Sequence, residues 1–179
     1  MHHSYNKPAR VLHWLTAAIW LAVWSAGMLA VYARDWINPE HGLTITHKAL
    51  AITLVVLVPL RIVWRLLHGS PGLPDSISPA MQQAAKLGHL AIYVVALVAL
   101  PLSGWLWSSV ADKPVMFLWL FQMPPLVAPA PDLYDAAKWL HVGLAWFCGA
   151  MIAGHILMAL KHKWLDHDGV FESMWPRRG

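Results

Sequence analysis

With 179 residues, 58% of them apolar and 12% charged, and a mean hydropathy of +0.49, the chain reads as an integral membrane protein. A soluble domain is usually about a quarter charged. Its single cysteine, Cys148, excludes an internal disulfide and every CxxC motif, and with them iron–sulfur clusters, zinc fingers and covalent CxxCH attachment of a cofactor. The formal net charge of +4 is scattered over the loops, which points to topology and lipid contact and away from nucleic acid.

The polar stretch Met1 to Arg10 carries His2 and His3, both expected in solvent. Val11 to Tyr32 is charge-free and forms the first expected span. It is too long for a signal peptide and lacks a small-residue cleavage site, so it is expected to stay. A short loop with Pro39 leads to a second span at about 43–67. Its charge-free centre is only Ala49 to Leu60, so Lys48, Arg61 and Arg65 must snorkel or find partners. His68 to Ala85 holds Gly69, Pro71, Gly72, Pro74 and Pro79 and is expected to be a loop. The third span, at about 87–111, contains Pro101, which predicts a kink.

Asp112 to Asp135 is proline-rich, with an apolar centre, Val115 to Phe121, that is too short to cross and is expected to lie in the interface. The fourth span, at about 136–161, includes Trp139 to Leu160, which has no charged residue and makes a helix of about 33 Å. The twelve tryptophans fit aromatic belts at the two membrane surfaces.

These elements predict an all-α fold, a single transmembrane domain over 1–179 built as a four-helix up-down-up-down bundle. Lys7, Arg10, Arg61, Arg65, Lys86, Lys161, Lys163, Arg177 and Arg178 fall on the side of the termini. Arg34, Lys48, Lys113 and Lys138 fall on the other. Nine against four places both termini in the cytoplasm.

The histidines then fall into register. His141 and His155 are 14 residues apart on one helix, close to four turns, so they share a face about 21 Å apart along the axis. An ionisable group inside a span is costly and implies a function. Neutral imidazole is a metal ligand, and haem iron takes such axial ligands. His13 matches His155 in depth on the cytoplasmic side, and His47 matches His141 on the outer side. Each pair suits the two axial positions of one haem, with Gly143 and Gly154 leaving room beside the fourth-span ligands.

The 14-residue step recurs: Gly27 follows His13, Arg61 follows His47, and Ser103, next to Gly104, follows His89. Gly27 would let the macrocycle approach. Arg61 either meets a haem propionate or snorkels. His89 lies at the inner depth with Tyr93 on its face. It is a ligand in place of His13 or His155, a contact to a propionate or quinone, or a packing residue. His41, His68, His162 and His167 are expected in solvent, Cys148 in the core, and Trp14 beside His13 at an interface or a haem edge.

In order along the chain stand Tyr5 with Arg10-Val11-Leu12-His13-Trp14, His47-Lys48, Leu60-Arg61 with Trp64-Arg65, and Leu87-Gly88-His89 with Tyr93. Leu100-Pro101-Leu102-Ser103-Gly104, Lys138-Trp139-Leu140-His141 and Gly154-His155 follow. This ordered set resembles the bacterial cytochrome b561 family over nearly the whole chain. The resemblance implies two b-type haems with His13, His47, His141 and His155 as ligands, a lipid quinone as redox partner, and a bacterial inner-membrane location. Some members oxidise superoxide on the periplasmic side and reduce ubiquinone, so a periplasmic electron donor is implied as well.

Related cytochrome b subunits anchor hydrogenase or dehydrogenase complexes. They are usually longer, and the short tail here favours the stand-alone form. A histidine relay for ion transport is disfavoured because the spans carry no carboxylate.

Overall fold

The computed structural model describes residues 4–72, 74 and 76–176. His2, His3, Arg177 and Arg178 lie outside the described residues. Four helical segments are long and apolar enough to cross a membrane: Lys7–Tyr32, Gly42–His68, Pro79–Val110 and Pro131–Asp166.

The first is one unbroken helix, α1 (Lys7–Tyr32), capped by Asn6, whose side chain accepts from the Ala9 amide at 3.0 Å, with a proline in the first turn. A short α2 (Arg34–Ile37) follows. The buried Asn38 then fixes the turn: its side chain accepts from the Leu43 amide and donates to Thr44 Oγ1 and to the Ala30 carbonyl. The second span is two helices, α3 (Gly42–Ala51) and α4 (Leu54–His68). At the joint the Thr53 amide bonds the Leu50 carbonyl, one residue short of the α-helical register. The Ala49 carbonyl thereby loses its usual donor, and the Leu118 amide of the distant outer loop approaches it at 3.4 Å.

The third span joins α5 (Pro79–Ala91), a π-helical stretch Ile92–Ala99, and α6 (Leu100–Val110). Helix begins at Pro79, inside the stretch expected to be loop to Ala85, because Ser78 accepts from the Met81 amide and proline suits the first helical position. The distortion lies ahead of Pro101. In the π register the Leu100 amide bonds the Val95 carbonyl, so the next partner in line would join residue 101 to Ala96. Pro101 has no N–H, and the Trp20 indole from α1 donates to the Ala96 carbonyl instead, at 3.0 Å.

The expected interfacial segment forms a small antiparallel hairpin, β1 (Met116–Phe117) with β2 (Phe121–Gln122). It is tied to the second span by Lys48 Nζ donating to the Pro114 carbonyl at 2.7 Å. Its turn holds Leu118 and Trp119 at φ 47 and 60, with Trp119 and Leu120 exposed. The fourth span is α7 (Tyr134–Lys161), extended by a π turn, His162–Asp166. The chain then folds α8 (Val170–Met174) back onto α1. There Arg10 and Trp14 donate to the carbonyls of Trp175 and Met174.

Sequential spans are antiparallel neighbours around a core of Trp20, Leu54, Val58, Ala96, Leu97, Leu100 and Cys148. Cys148 is the expected small core residue. The bundle closes between α1 and α7 through Trp24, whose indole donates to the Ala145 carbonyl at 2.8 Å and lies on Gly149. A Cβ at Gly149 would come within 2.7 Å of that ring, so glycine is required there. In lipid, such packing and interhelical bonds of about 1 kcal/mol replace the hydrophobic effect as the force joining helices.

Candidate functional site

The bundle brings its intramembrane histidines together in two groups, one at the end that carries the termini and one at the far end.

At the far end His47 on α3 faces His141 on α7, with ring centroids 6.2 Å apart and planes at 77°. His47 donates through Nδ1 to the Val23 carbonyl at 2.8 Å. Ser103 Oγ spends its only proton on the Leu100 carbonyl at 2.7 Å, so at 2.9 Å from His141 Nδ1 it must accept. With both Nδ1 atoms donating, each ring keeps its lone pair on Nε2, the ligand form. Two glycines make the rings fit. A Cβ at Gly27 would lie 2.9 Å from the His47 ring, and a Cβ at Gly104 2.9 Å from the His141 ring. Trp107 flanks His141 at 5.9 Å, and its buried Nε1 has no partner among the described residues.

At the terminal end His13 on α1, His89 on α5 and His155 on α7 converge, with Arg61 of α4 among them. His155 stands 6.4 Å from His13 and 5.4 Å from His89, centroid to centroid. His89 donates through Nδ1 to the Ala85 carbonyl. Arg61 Nη2 lies 2.7 Å from His13 Nδ1. A guanidinium can only donate, so His13 accepts there and carries its proton on Nε2. Arg61 and Arg65 both lie over the Tyr93 ring, at 5.0 and 5.9 Å, in a small cleft shared with Tyr5 and Trp64.

One metal ion between two imidazoles, with bonds of about 2.0–2.1 Å, sets the ring centroids roughly 6 Å apart. The His47–His141 and His13–His155 pairs meet that spacing, and His89–His155 is short of it. Each of these two pairs would therefore suit a metal ion held between rings from different helices. α7 supplies a ring to both. Only 6% of the fourth span's apolar window is buried inside the protein, against 22–28% for the other three.

The remaining histidines fall elsewhere. His41 is exposed beside Arg34, and exposed His68 stacks on Trp64. His162, expected in solvent, is half-buried and bonds Asp168 at 2.6 Å, next to the Lys161–Asp166 ion pair. Trp14 contacts His13 edge-on at 5.5 Å while donating to the Met174 carbonyl.

The contacts of Val23, Ser103 and Trp107 to the far pair were not read from sequence. Ser103 stood out only as a step from His89, although its depth on the third span is that of His141.

A family model described as prokaryotic cytochrome b561 matches residues 4–177. Cytochrome b561 homolog 2 of Escherichia coli is 33% identical over 170 residues, covering 95% of this chain and 90% of that protein. The probable superoxide oxidase CybB of Yersinia pestis is 28% identical over 178 residues, 99% of each chain. Cytochrome b561 homolog 1 of Escherichia coli is 28% identical over 181 residues, 98% of this chain and 99% of that one. With its four apolar helices, the chain belongs to the prokaryotic cytochrome b561 family, multi-pass electron-transfer proteins of the bacterial inner membrane for which haem b is implied.

Proposed function

We propose that the chain holds two non-covalent b haems, one between His47 and His141 and one between His13 and His155, and carries electrons from a periplasmic donor to a lipid quinone. The observation that carries this reading is the pair of imidazole couples, at 6.2 and 6.4 Å, at opposite ends of one bundle. Haem iron with both axial positions filled by imidazole exchanges single electrons without binding oxygen.

The terminal end faces the cytoplasm. Among the described residues it carries Lys7, Arg10, Arg61, Arg65, Lys86, Lys161 and Lys163, against Arg34, Lys48, Lys113 and Lys138 at the far end.

The protein's own groups do the positioning. Val23 and Ser103 hold the far-end rings in the ligand tautomer. A ligating His13 would carry its proton on Nδ1, where it cannot face a guanidinium donor, so Arg61 must turn to an anionic group. A haem propionate supplies that acceptor, with Arg65 and Tyr93 alongside. His89, free of the ligand role, contacts the same propionate or the quinone. The likeness to the probable superoxide oxidase favours superoxide as donor and ubiquinone as acceptor.

The test is purified protein in nanodiscs, assayed for haem per chain by pyridine haemochrome and for superoxide-dependent ubiquinone reduction. Two haems per chain and quinol formation by the isolated chain are expected. One haem per chain overturns the four-ligand assignment. A stoichiometric partner chain, without which quinone is not reduced, replaces the stand-alone function with that of an anchor subunit.

A further inference from the structure

We infer that Ser103 is a positioning residue for the far-end site: its hydroxyl accepts the His141 Nδ1 proton and thereby lowers the reduction potential of the haem bound there. The inference rests on the reading of His141 as an axial ligand.

Ser103 is buried on α6, only 6% exposed. Its Oγ proton is committed to the Leu100 carbonyl three residues back, at 2.7 Å. Only lone pairs remain for His141 Nδ1 at 2.9 Å. The result is a relay of two bonds from the imidazole N–H through the hydroxyl to a backbone carbonyl. Gly104, the next residue, admits the His141 ring where any side chain would collide, so the third span positions this imidazole by one contact and accommodates it by the other.

An acceptor on the distal N–H of a ligating imidazole fixes the tautomer and raises the basicity of the coordinating nitrogen. A more basic ligand stabilises ferric over ferrous iron. The terminal end is built in the opposite sense, because the Arg61 guanidinium, once turned to a propionate, still places positive charge at that site and disfavours the more positive ferric state. The two devices together make the far-end haem the better reductant. Electrons entering from outside then run chemically downhill toward the cytoplasmic end, partly offsetting the membrane potential that opposes them.

The test is a redox titration of the holoprotein in nanodiscs, comparing Ser103→Ala, Ser103→Thr and, as a control, Ser108→Ala. Ser108 is a buried serine of the same helix. Threonine keeps the relay, since its hydroxyl can bond a carbonyl three residues back. The far-end haem is identified as the one lost in His141→Ala. At a fixed ambient potential, Ser103→Ala should raise the ferrous-to-ferric ratio of that haem about threefold. That is roughly 30 mV at 59 mV per tenfold for one electron.

The other haem should be unmoved, Ser103→Thr should return the native ratio, and Ser108→Ala should leave both unchanged. Loss of the far-end haem in Ser103→Ala but not in Ser103→Thr also supports the proposal. An unshifted ratio in Ser103→Ala, an equal shift in Ser108→Ala, or a threonine variant that behaves like alanine overturns it. If His141→Ala keeps both haems, the ligand reading has failed, whatever Ser103 does.

Discussion

At the far end of the bundle two imidazoles face each other, each with its Nδ1 proton committed to a fixed acceptor and each against a glycine. At the terminal end three imidazoles and a guanidinium share one space, and one imidazole is bonded to the guanidinium. The first arrangement leaves Nε2 of both rings free of a proton. In the proposed assignment the second must exchange a hydrogen bond before His13 can ligate, and His89 is left over. On the proposed ligand assignment, the preorganised pair would hold its cofactor by geometry, whereas the crowded pair would depend on the charge of the cofactor to complete it. The two ends should therefore fail in different ways when their parts are changed.

The largest effect is expected from removing a ligand. His47→Ala or His141→Ala should halve the haem content and leave the terminal-end spectrum. His13→Ala or His155→Ala should do the reverse. The measurement is haem per chain with low-temperature difference spectra. If His89→Ala removes a haem and His13→Ala does not, His89 is the ligand at the terminal end.

Overfilling the far end comes next. In Gly104→Ala the new Cβ meets the His141 ring, and Ser103 leaves that ring little room to turn aside. Overpacking typically costs about 1–3 kcal/mol, against a helix gain of about 0.5–1 kcal/mol for alanine over glycine. Far-end haem occupancy should fall severalfold while the other haem remains. Equal loss of both haems would show a general folding defect and erase the contrast between the ends.

A smaller effect, confined to the terminal end, is expected from Arg61→Leu. A unit charge at roughly 10 Å in an effective dielectric of about 20 contributes about 1.7 kcal/mol. The terminal-end midpoint should drop by several tens of millivolts (about 59 mV per 1.4 kcal/mol for one electron), and that haem should dissociate more readily. The far-end midpoint should stay in place. An unshifted titration would mean that the guanidinium turns to water instead of a propionate.

The smallest effect is expected for His89→Ala: both haems retained, and a potential shift below that of Arg61→Leu. Quinone reduction, followed by stopped-flow, should slow if His89 touches the quinone, with haem content unchanged.

Much of this protein was legible in the order of its residues because a membrane simplifies the physics. Apolar runs of bilayer length must be helices, and short connections make neighbours antiparallel. Depth along each helix then follows from counting, which is how His13 could be matched with His155 and His47 with His141 before any coordinates. Local rules reached less far. Pro101 predicted a kink, but the distortion is a π stretch ahead of it, because Trp20 from another helix satisfies the carbonyl that Pro101 leaves without a donor. The second span reads as one run and is two helices, its joint met by the outer hairpin.

The glycines show the same division. Gly27 and Gly104 were marked by spacing alone, and the structure shows each admitting a histidine ring from a neighbouring helix. By itself the sequence determined the four spans, their alternation and the depths of the intramembrane imidazoles, since these depend on hydropathy and a constant rise per residue. Only the tertiary structure decided rotation, and with it which nitrogen points at a partner. That Ser103 accepts from His141 while Arg61 donates to His13 depends on side chains from different helices meeting within 3 Å. Neither helix's own periodicity encodes such a meeting.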